Sequence, residues 1–216
     1  VLTDSVFSMD GDRAPLSALC DVAEHYDAWI MVDEAHATGV VGADGGGVVQ
    51  SQGVSNRVDV QIGTLSKALA AQGGYVAGGD VLVEHLLNCA RTFVFSTGLA
   101  PPAAGAAREA LRIAREGERR AQLWNTVERL REGFEDAGFE VLGDTHILPV
   151  LVGDREEALA LESAVRERGI VAPAIRPPVP EGQSRIRVAP MATHTAADVD
   201  RCVTAFRAAG KEVGLL

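Results

Sequence analysis

Apolar residues in the first hundred positions fall in short, nearly unbroken runs separated by amphipathic stretches. Val1–Phe7, Ala28–Val32, Asp59–Gly63, Tyr75–Ala77 and Thr92–Phe95 read as strands. Ala28–Val32 has little polar alternation, the pattern of a strand buried on both faces. Pro15 to about His25 predicts a helix with Leu16, Leu19, Val22 and Ala23 on one face, and Val81–Ala90 predicts another. Strands alternating with helices make βαβ units. The expectation is an α/β fold with a mainly parallel sheet, its ligands lying beyond the carboxyl ends of the strands. Glycine-rich loops at Gly39–Gly47 and Gln72–Gly74 suit tight turns and close backbone approach.

Pro101-Pro102 interrupts this pattern. Two long helical stretches follow, about Ala103–Glu116 and Arg119–Ala137, whose alternating Arg and Glu predict a solvated face. Residues 139–210 then read strand (Ile147–Val152), helix (Glu156–Arg168), two strands (Ile170–Ala174, Arg185–Ala189) and helix (Ala196–Ala208). That order predicts a smaller α+β domain with an antiparallel sheet. The expected division is 1–100 for the large domain, 101–138 for connecting helices and 139–216 for the small domain. Arg185 and Arg187 share the polar face of their strand and read as solvated or structural.

Composition narrows the function. A chain of 216 residues, 47% of them hydrophobic, can bury a real core. A net charge of −10 argues against a nucleic-acid surface, which relies on clustered Lys and Arg. Cys20, Cys89 and Cys202 lie far apart without metal-ligand spacing, so they read as reduced thiols in a cytoplasmic protein. No apolar run approaches the ~18 residues of a membrane span, and no basic leader is present. The chain opens on Val1 in what reads as mid-strand, which suggests a fragment or an unusual start codon.

The chemistry concentrates in two segments. Trp29-Ile30-Met31-Val32-Asp33-Glu34-Ala35-His36 brings a carboxylate and an imidazole to a strand end. Gly63-Thr64-Leu65-Ser66-Lys67-Ala68-Leu69 then brings one lysine in a small, largely apolar setting. An acid that keeps a pyridine nitrogen protonated and a desolvated, nucleophilic amine are what pyridoxal 5'-phosphate (PLP) chemistry needs. Taken singly, Asp33 reads equally as a helix cap, His36 as a hydrogen-bonded structural residue and Lys67 as a solvated surface group. Thr64, Ser96 and Thr97 offer hydroxyls to a phosphate, though such residues are more often caps or turns. Arg176, stiffened by Pro177-Pro178, suits bidentate capture of a carboxylate, and otherwise reads as a surface ion pair. Asp33-Glu34-Ala35-His36 also spells the DEAH box of helicases, with Glu34 as the water-activating acid. That class needs a GxxxxGK[ST] loop, and Lys67 is followed by Ala68.

Three segments together resemble the α-oxoamine synthases, fold-type-I PLP enzymes: Ser5-Val6-Phe7-Ser8-Met9-Asp10-Gly11-Asp12-Arg13-Ala14-Pro15-Leu16, Val32-Asp33-Glu34-Ala35-His36-Ala37-Thr38-Gly39 and Gly63-Thr64-Leu65-Ser66-Lys67-Ala68-Leu69. Gln72-Gly73-Gly74-Tyr75-Val76-Ala77-Gly78, Arg91-Thr92-Phe93-Val94-Phe95-Ser96-Thr97 and Ala174-Ile175-Arg176-Pro177-Pro178 resemble the branch of biotin synthesis. That branch joins L-alanine to a pimeloyl thioester, on coenzyme A or a carrier protein, with loss of carbon dioxide. The resemblance implies part of a PLP-dependent transferase large domain followed by the small domain, in a cytoplasmic homodimer. Lys67 would hold the cofactor, Asp33 would pair with its pyridine nitrogen, and His36 and Ser8 would contact its ring oxygen. Thr64 would bind its phosphate, Ser96 and Thr97 would serve the phosphate of the partner subunit's cofactor, and Arg176 would hold the amino-acid carboxylate. Sister enzymes that use glycine, such as glycine C-acetyltransferase, and a catalytically silent scaffold subunit are the alternatives. The chain departs from the family in three ways. It matches about the C-terminal half of the family's length, so residues 1–216 alone are expected to be inactive. Gly45-Gly46-Gly47 stands where the family has Gly-Arg-Gly, and Pro177–Gly182 is one residue short.

Overall fold

The structure is a computed structural model that describes residues 1–175, 180 and 182–216. The chain forms two units, one of Val1–Phe7 with Arg13–Arg120 and one of Ser8–Asp12 with Ala121–Leu216.

The first unit follows the α/β alternation. Leu2–Asp4 (β1) leads through Leu16–His25 (α1) to Met31–Asp33 (β2). A long loop and the single turn Val48–Ser51 (α2) then lead to Val60–Thr64 (β3). These three strands are parallel in the order β1-β2-β3, with Asp4 beside Asp33 and Asp33 beside Ile62. Gly74–Gly78 (β4) adds an antiparallel edge strand, Gly63 opposite Tyr75. The sheet is therefore mainly parallel, as the pattern predicts. Central β2 holds the fully buried Val32. β1 is shorter than the run Val1–Phe7, because the chain turns away after Asp4 and Val6 pairs only with Arg13.

Helix α1 buries Leu16, Cys20 and Ala23, a stripe at i, i+4, i+7. Val22, expected on this face, is 50% exposed. Six residues from Leu16 place it about 240° round the helix, off the stripe.

After β4 come Asp80–Cys89 (α3) and Arg91–Val94 (α4). Thr92–Phe95 is thus not a strand. A four-residue aromatic and β-branched run fits either state, and among the described residues no strand pairs with it to complete a ladder. Pro101 and Pro102 open Pro101–Glu116 (α5), where their missing N–H groups cost nothing. Gly117, left-handed at φ 87°, closes that helix before Glu118–Asp136 (α6). Arg112 pairs with Glu109 and Glu116 on an exposed face of α5, the solvated charge pattern expected.

The second unit is an α+β arrangement of Glu140–Val141 (β5), Leu148–Gly153 (β6), Arg155–Glu167 (α7), Ala174–Ile175 (β7), Ser184–Val188 (β8) and Ala196–Glu212 (α8). Its sheet is antiparallel in the order β5-β6-β8-β7. Phe134 and Phe206, ring centroids 4.7 Å apart, lie in its core with Leu148, Leu161 and Ile186. Arg185 is not solvated: it is 1% exposed, pairs with Asp10 and donates from Nε to the Gln183 carbonyl at 2.9 Å. Arg187 donates to the Ser8 carbonyl at 3.1 Å, and Thr145 Oγ1 to the Gly11 carbonyl at 2.7 Å. These bonds fasten the segment 8–12 to the second unit. Among the described residues no helix is long and apolar enough to cross a membrane.

Candidate active site

Parallel strands end on one edge. β2 ends at Asp33 and β3 at Thr64, so Asp33, the turn after it and the loop after Thr64 share the carboxyl edge of the first sheet. Asp33 is half-buried, and its Oδ1 accepts from the Ala35 N–H at 2.7 Å. That bond closes a short turn of the kind an Asp side chain makes with the backbone two residues on. His36, half-buried, sits in the same turn.

Glu34 is fully buried. Its carboxylate accepts from Ser5 Oγ at 2.6 Å, Val48 N at 3.0 Å and Val49 N at 2.7 Å. Gly47, at φ 98°, makes room for it: a Cβ there would lie 2.5 Å from the carboxyl carbon. This geometry removes the helicase reading, because a carboxylate with both oxygens occupied and no solvent cannot activate water.

The turn is also tied to the edge strand. Thr38 Oγ1 lies 2.8 Å from Tyr75 Oη. The Tyr75 ring crosses Gly63 of β3, where a Cβ would come within 2.6 Å of it. Burial pushes the Tyr75 phenol up, against the opposing Thr38 hydrogen bond, with the Glu34 and Asp33 charges adding to the rise. Tyr75 therefore stays a neutral phenol at physiological pH.

Lys67 follows β3 in a closed loop. Leu65 N donates to the Gly73 carbonyl at 2.9 Å, Ala71 N to the Leu65 carbonyl at 2.8 Å and Ala70 N to the Lys67 carbonyl at 3.0 Å. Ala70 takes a left-handed φ of 48°, uncommon outside glycine. Leu69 is buried at 3% exposure, and Ala68 packs at Gly39, next to the turn of His36 and Thr38. Lys67 itself is exposed, which corrects the expectation of a desolvated amine. Of its apolar neighbours only Leu69 turns inward; Ala68 and Ala70 are too small to cover it. Thr64 Oγ1 and Ser66 Oγ lie 2.6 Å apart, forming a hydroxyl pair beside Lys67.

The other expected residues stand apart. Ser8 belongs to the second unit. Ser96 and Thr97 are exposed after α4, at a helix end instead of a strand end, and Thr97 is left-handed at φ 66°. Arg176 lies outside the described residues. In the triple-glycine loop, Gly46 N donates to Gln50 Oε1 at 3.1 Å, and the Gln50 side chain fills the space beside Gly46. The sequence pattern does not disclose the burial of Glu34 or the Thr38–Tyr75 contact, because nothing local marks a glutamate beside Asp33 as buried.

Comparisons with known proteins give the family. The family model described as aminotransferase class I and II matches residues 1–206. The 8-amino-7-oxononanoate synthase of Lysinibacillus sphaericus is 44% identical over 219 residues, covering 100% of this chain and 56% of the relative. The serine palmitoyltransferase of Sphingomonas wittichii superposes with a TM-score of 0.96 at 32% identity, covering 100% of this chain and 55% of that one. An SPT structure with a PLP internal aldimine does so with a TM-score of 0.95 at 32% identity, covering 100% and 56%. The chain spans about half the length of the curated relatives it matches. It belongs to the aminotransferase class I and II family.

Proposed function

We propose that this chain is part of a PLP-dependent acyltransferase of biotin synthesis. The enzyme would condense L-alanine with pimeloyl-CoA, or with a pimeloyl carrier protein, to 8-amino-7-oxononanoate, releasing carbon dioxide and the free thiol. One observation carries the reading: an acid, an amine loop and a hydroxyl pair meet on one sheet edge, through Asp33, Lys67, Thr64 and Ser66. Relatives named 8-amino-7-oxononanoate synthase match across the chain.

The donor set fits PLP, which when bound supplies an electron sink for negative charge at the substrate's α-carbon. Lys67 would hold the cofactor through Nζ, and its amine, when free, would take the α-proton as general base. Asp33, its carboxylate oriented by the Ala35 N–H, keeps a proton on the pyridine nitrogen. His36 and Ser8 serve the ring oxygen, and Thr64 serves the phosphate. Ser96 and Thr97 serve the phosphate of the partner subunit's cofactor in a cytoplasmic homodimer. Arg176 takes the alanine carboxylate as a planar fork. Residues 1–216 by themselves would hold the cofactor weakly and not turn over, since they span about half the length of the relatives they match.

The test uses the whole protein. Borohydride reduction and peptide mass mapping place a pyridoxyl group on Lys67, and alanine with pimeloyl-CoA releases coenzyme A. A label elsewhere, or none, overturns the reading. The serine palmitoyltransferase neighbours favour a second one, a sister α-oxoamine synthase acting on another amino acid. Faster turnover with serine or glycine than with alanine selects it.

A further inference from the structure

We propose that Glu34 is a positioning residue: its buried carboxylate sets where the Asp33 acid and the His36 imidazole stand. The inference rests on the PLP reading above and adds a residue to it.

Glu34 is pinned at both ends. Its side chain reaches back to Ser5, one residue beyond β1, and forward to the N–H groups of Val48 and Val49 in α2. Its own N–H donates to the Ile62 carbonyl of β3 at 2.7 Å. Its carbonyl accepts from Ala37 N at 2.9 Å, Thr38 N at 2.8 Å and Thr38 Oγ1 at 2.9 Å. Thr38 passes the restraint on to Tyr75 of β4. One residue thus joins β1, β2, β3, β4 and α2 around the turn that carries Asp33 and His36. Hydrogen bonds hold heavy atoms within a window of a few tenths of an ångström. Asp33, one peptide unit away, cannot keep its place if Glu34 moves.

The buried partners make the carboxylate irreplaceable. Glu34 Oε2 faces Ser5 Oγ and Val48 N, and Oε1 faces Val49 N. A glutamine keeps the shape but carries one NH2 group, and either orientation aims that group at a backbone N–H. One buried donor is left unsatisfied, and the side chain must shift to relieve it.

The experiment compares wild type, Glu34→Gln and Ser5→Ala in the whole protein, well below each thermal midpoint. Far-UV circular dichroism reads the fold. PLP titration gives Kd, and the visible circular dichroism band of the bound cofactor reads its orientation. Glu34→Gln should fold and yet bind PLP about tenfold or more weakly, with a diminished visible band, the scale of a lost charged hydrogen bond. Ser5→Ala removes one of the three donors and leaves the backbone bonds alone, so its loss should be smaller, about two- to tenfold. A folded Glu34→Gln with wild-type Kd and band overturns the inference and makes Glu34 purely structural. Should Glu34→Gln not fold, Ser5→Ala decides: wild-type binding overturns the inference, and weaker binding with a diminished band supports it. A wild type that binds no PLP on Lys67 overturns the functional reading, and this inference falls with it.

Discussion

Asp33 and Glu34 are chain neighbours with opposite tasks. Asp33 stands half-open at the sheet edge, held by one backbone N–H, while Glu34 turns inward and is sealed. Asp33→Asn keeps the shape but removes the charge that, on the proposed function, would hold a pyridine nitrogen protonated. PLP binding should remain detectable, while exchange of the alanine α-proton, followed by NMR in deuterium oxide, slows strongly. Exchange at the wild-type rate would deprive Asp33 of its electronic part. Lys67→Ala should cost about 10²–10⁴-fold in the same exchange, the scale of a lost general base. Gly47→Ala tests the space around Glu34. The new methyl would collide with the carboxylate in a left-handed backbone, so a destabilisation of about 1–3 kcal/mol is expected in urea melts.

Helices show which parts of the fold local sequence can reveal. α8 starts with Thr195 and Asp198 in a reciprocal cap: Thr195 Oγ1 accepts from Asp198 N at 3.2 Å, and Asp198 Oδ2 accepts from Thr195 N at 2.9 Å. The Thr195 hydroxyl bond, with the backbone bond behind it, holds the Asp198 carboxyl below its ordinary range. A group lowered in the folded state stabilises above its unfolded pKa and loses that contribution as pH falls through the folded one. Thr195→Ala should therefore cost about 1 kcal/mol at pH 7, with the gap from wild type narrowing at acid pH. A gap that stays constant between pH 7 and pH 3 in urea titrations would exclude the carboxylate. Such caps, the 3.6-residue periods and the proline start of α5 are written within a few residues of one another. The two residues of β5 and the single turn α4 are too short to carry a period, and they were missed or misread. That Asp33 and the Lys67 loop both follow strand ends was legible from their own segments. The Glu34 network was not, because its partners Ser5 and Val49 lie 29 and 15 residues away. The exposure of Lys67 depends on how its loop folds, which a run of small residues does not disclose.

In the 216-residue polypeptide, α3 and α4 bury no residue, and Val81 and Phe95 are 83% and 80% exposed. Apolar surface of this kind promotes association. Residues 1–216 expressed alone should brighten anilinonaphthalene sulfonate and scatter light as concentration rises, and should release no coenzyme A from pimeloyl-CoA with alanine. Turnover within about tenfold of the whole protein, a loss of less than ~1.4 kcal/mol in barrier terms, would show that nothing further is needed.

The bond between Arg185 and Asp10 spans 175 positions of chain. A ribosome adds about 5–20 residues per second, so Asp10 leaves the tunnel on the order of ten seconds or more before its guanidinium exists. The second unit therefore cannot be finished by vectorial folding of its own continuous stretch. Its earliest stretch of peptide must wait for partners made far later in the chain. A nascent chain stalled before Arg185 emerges should leave residues 8–12 open to protease, and release of the finished chain should close them.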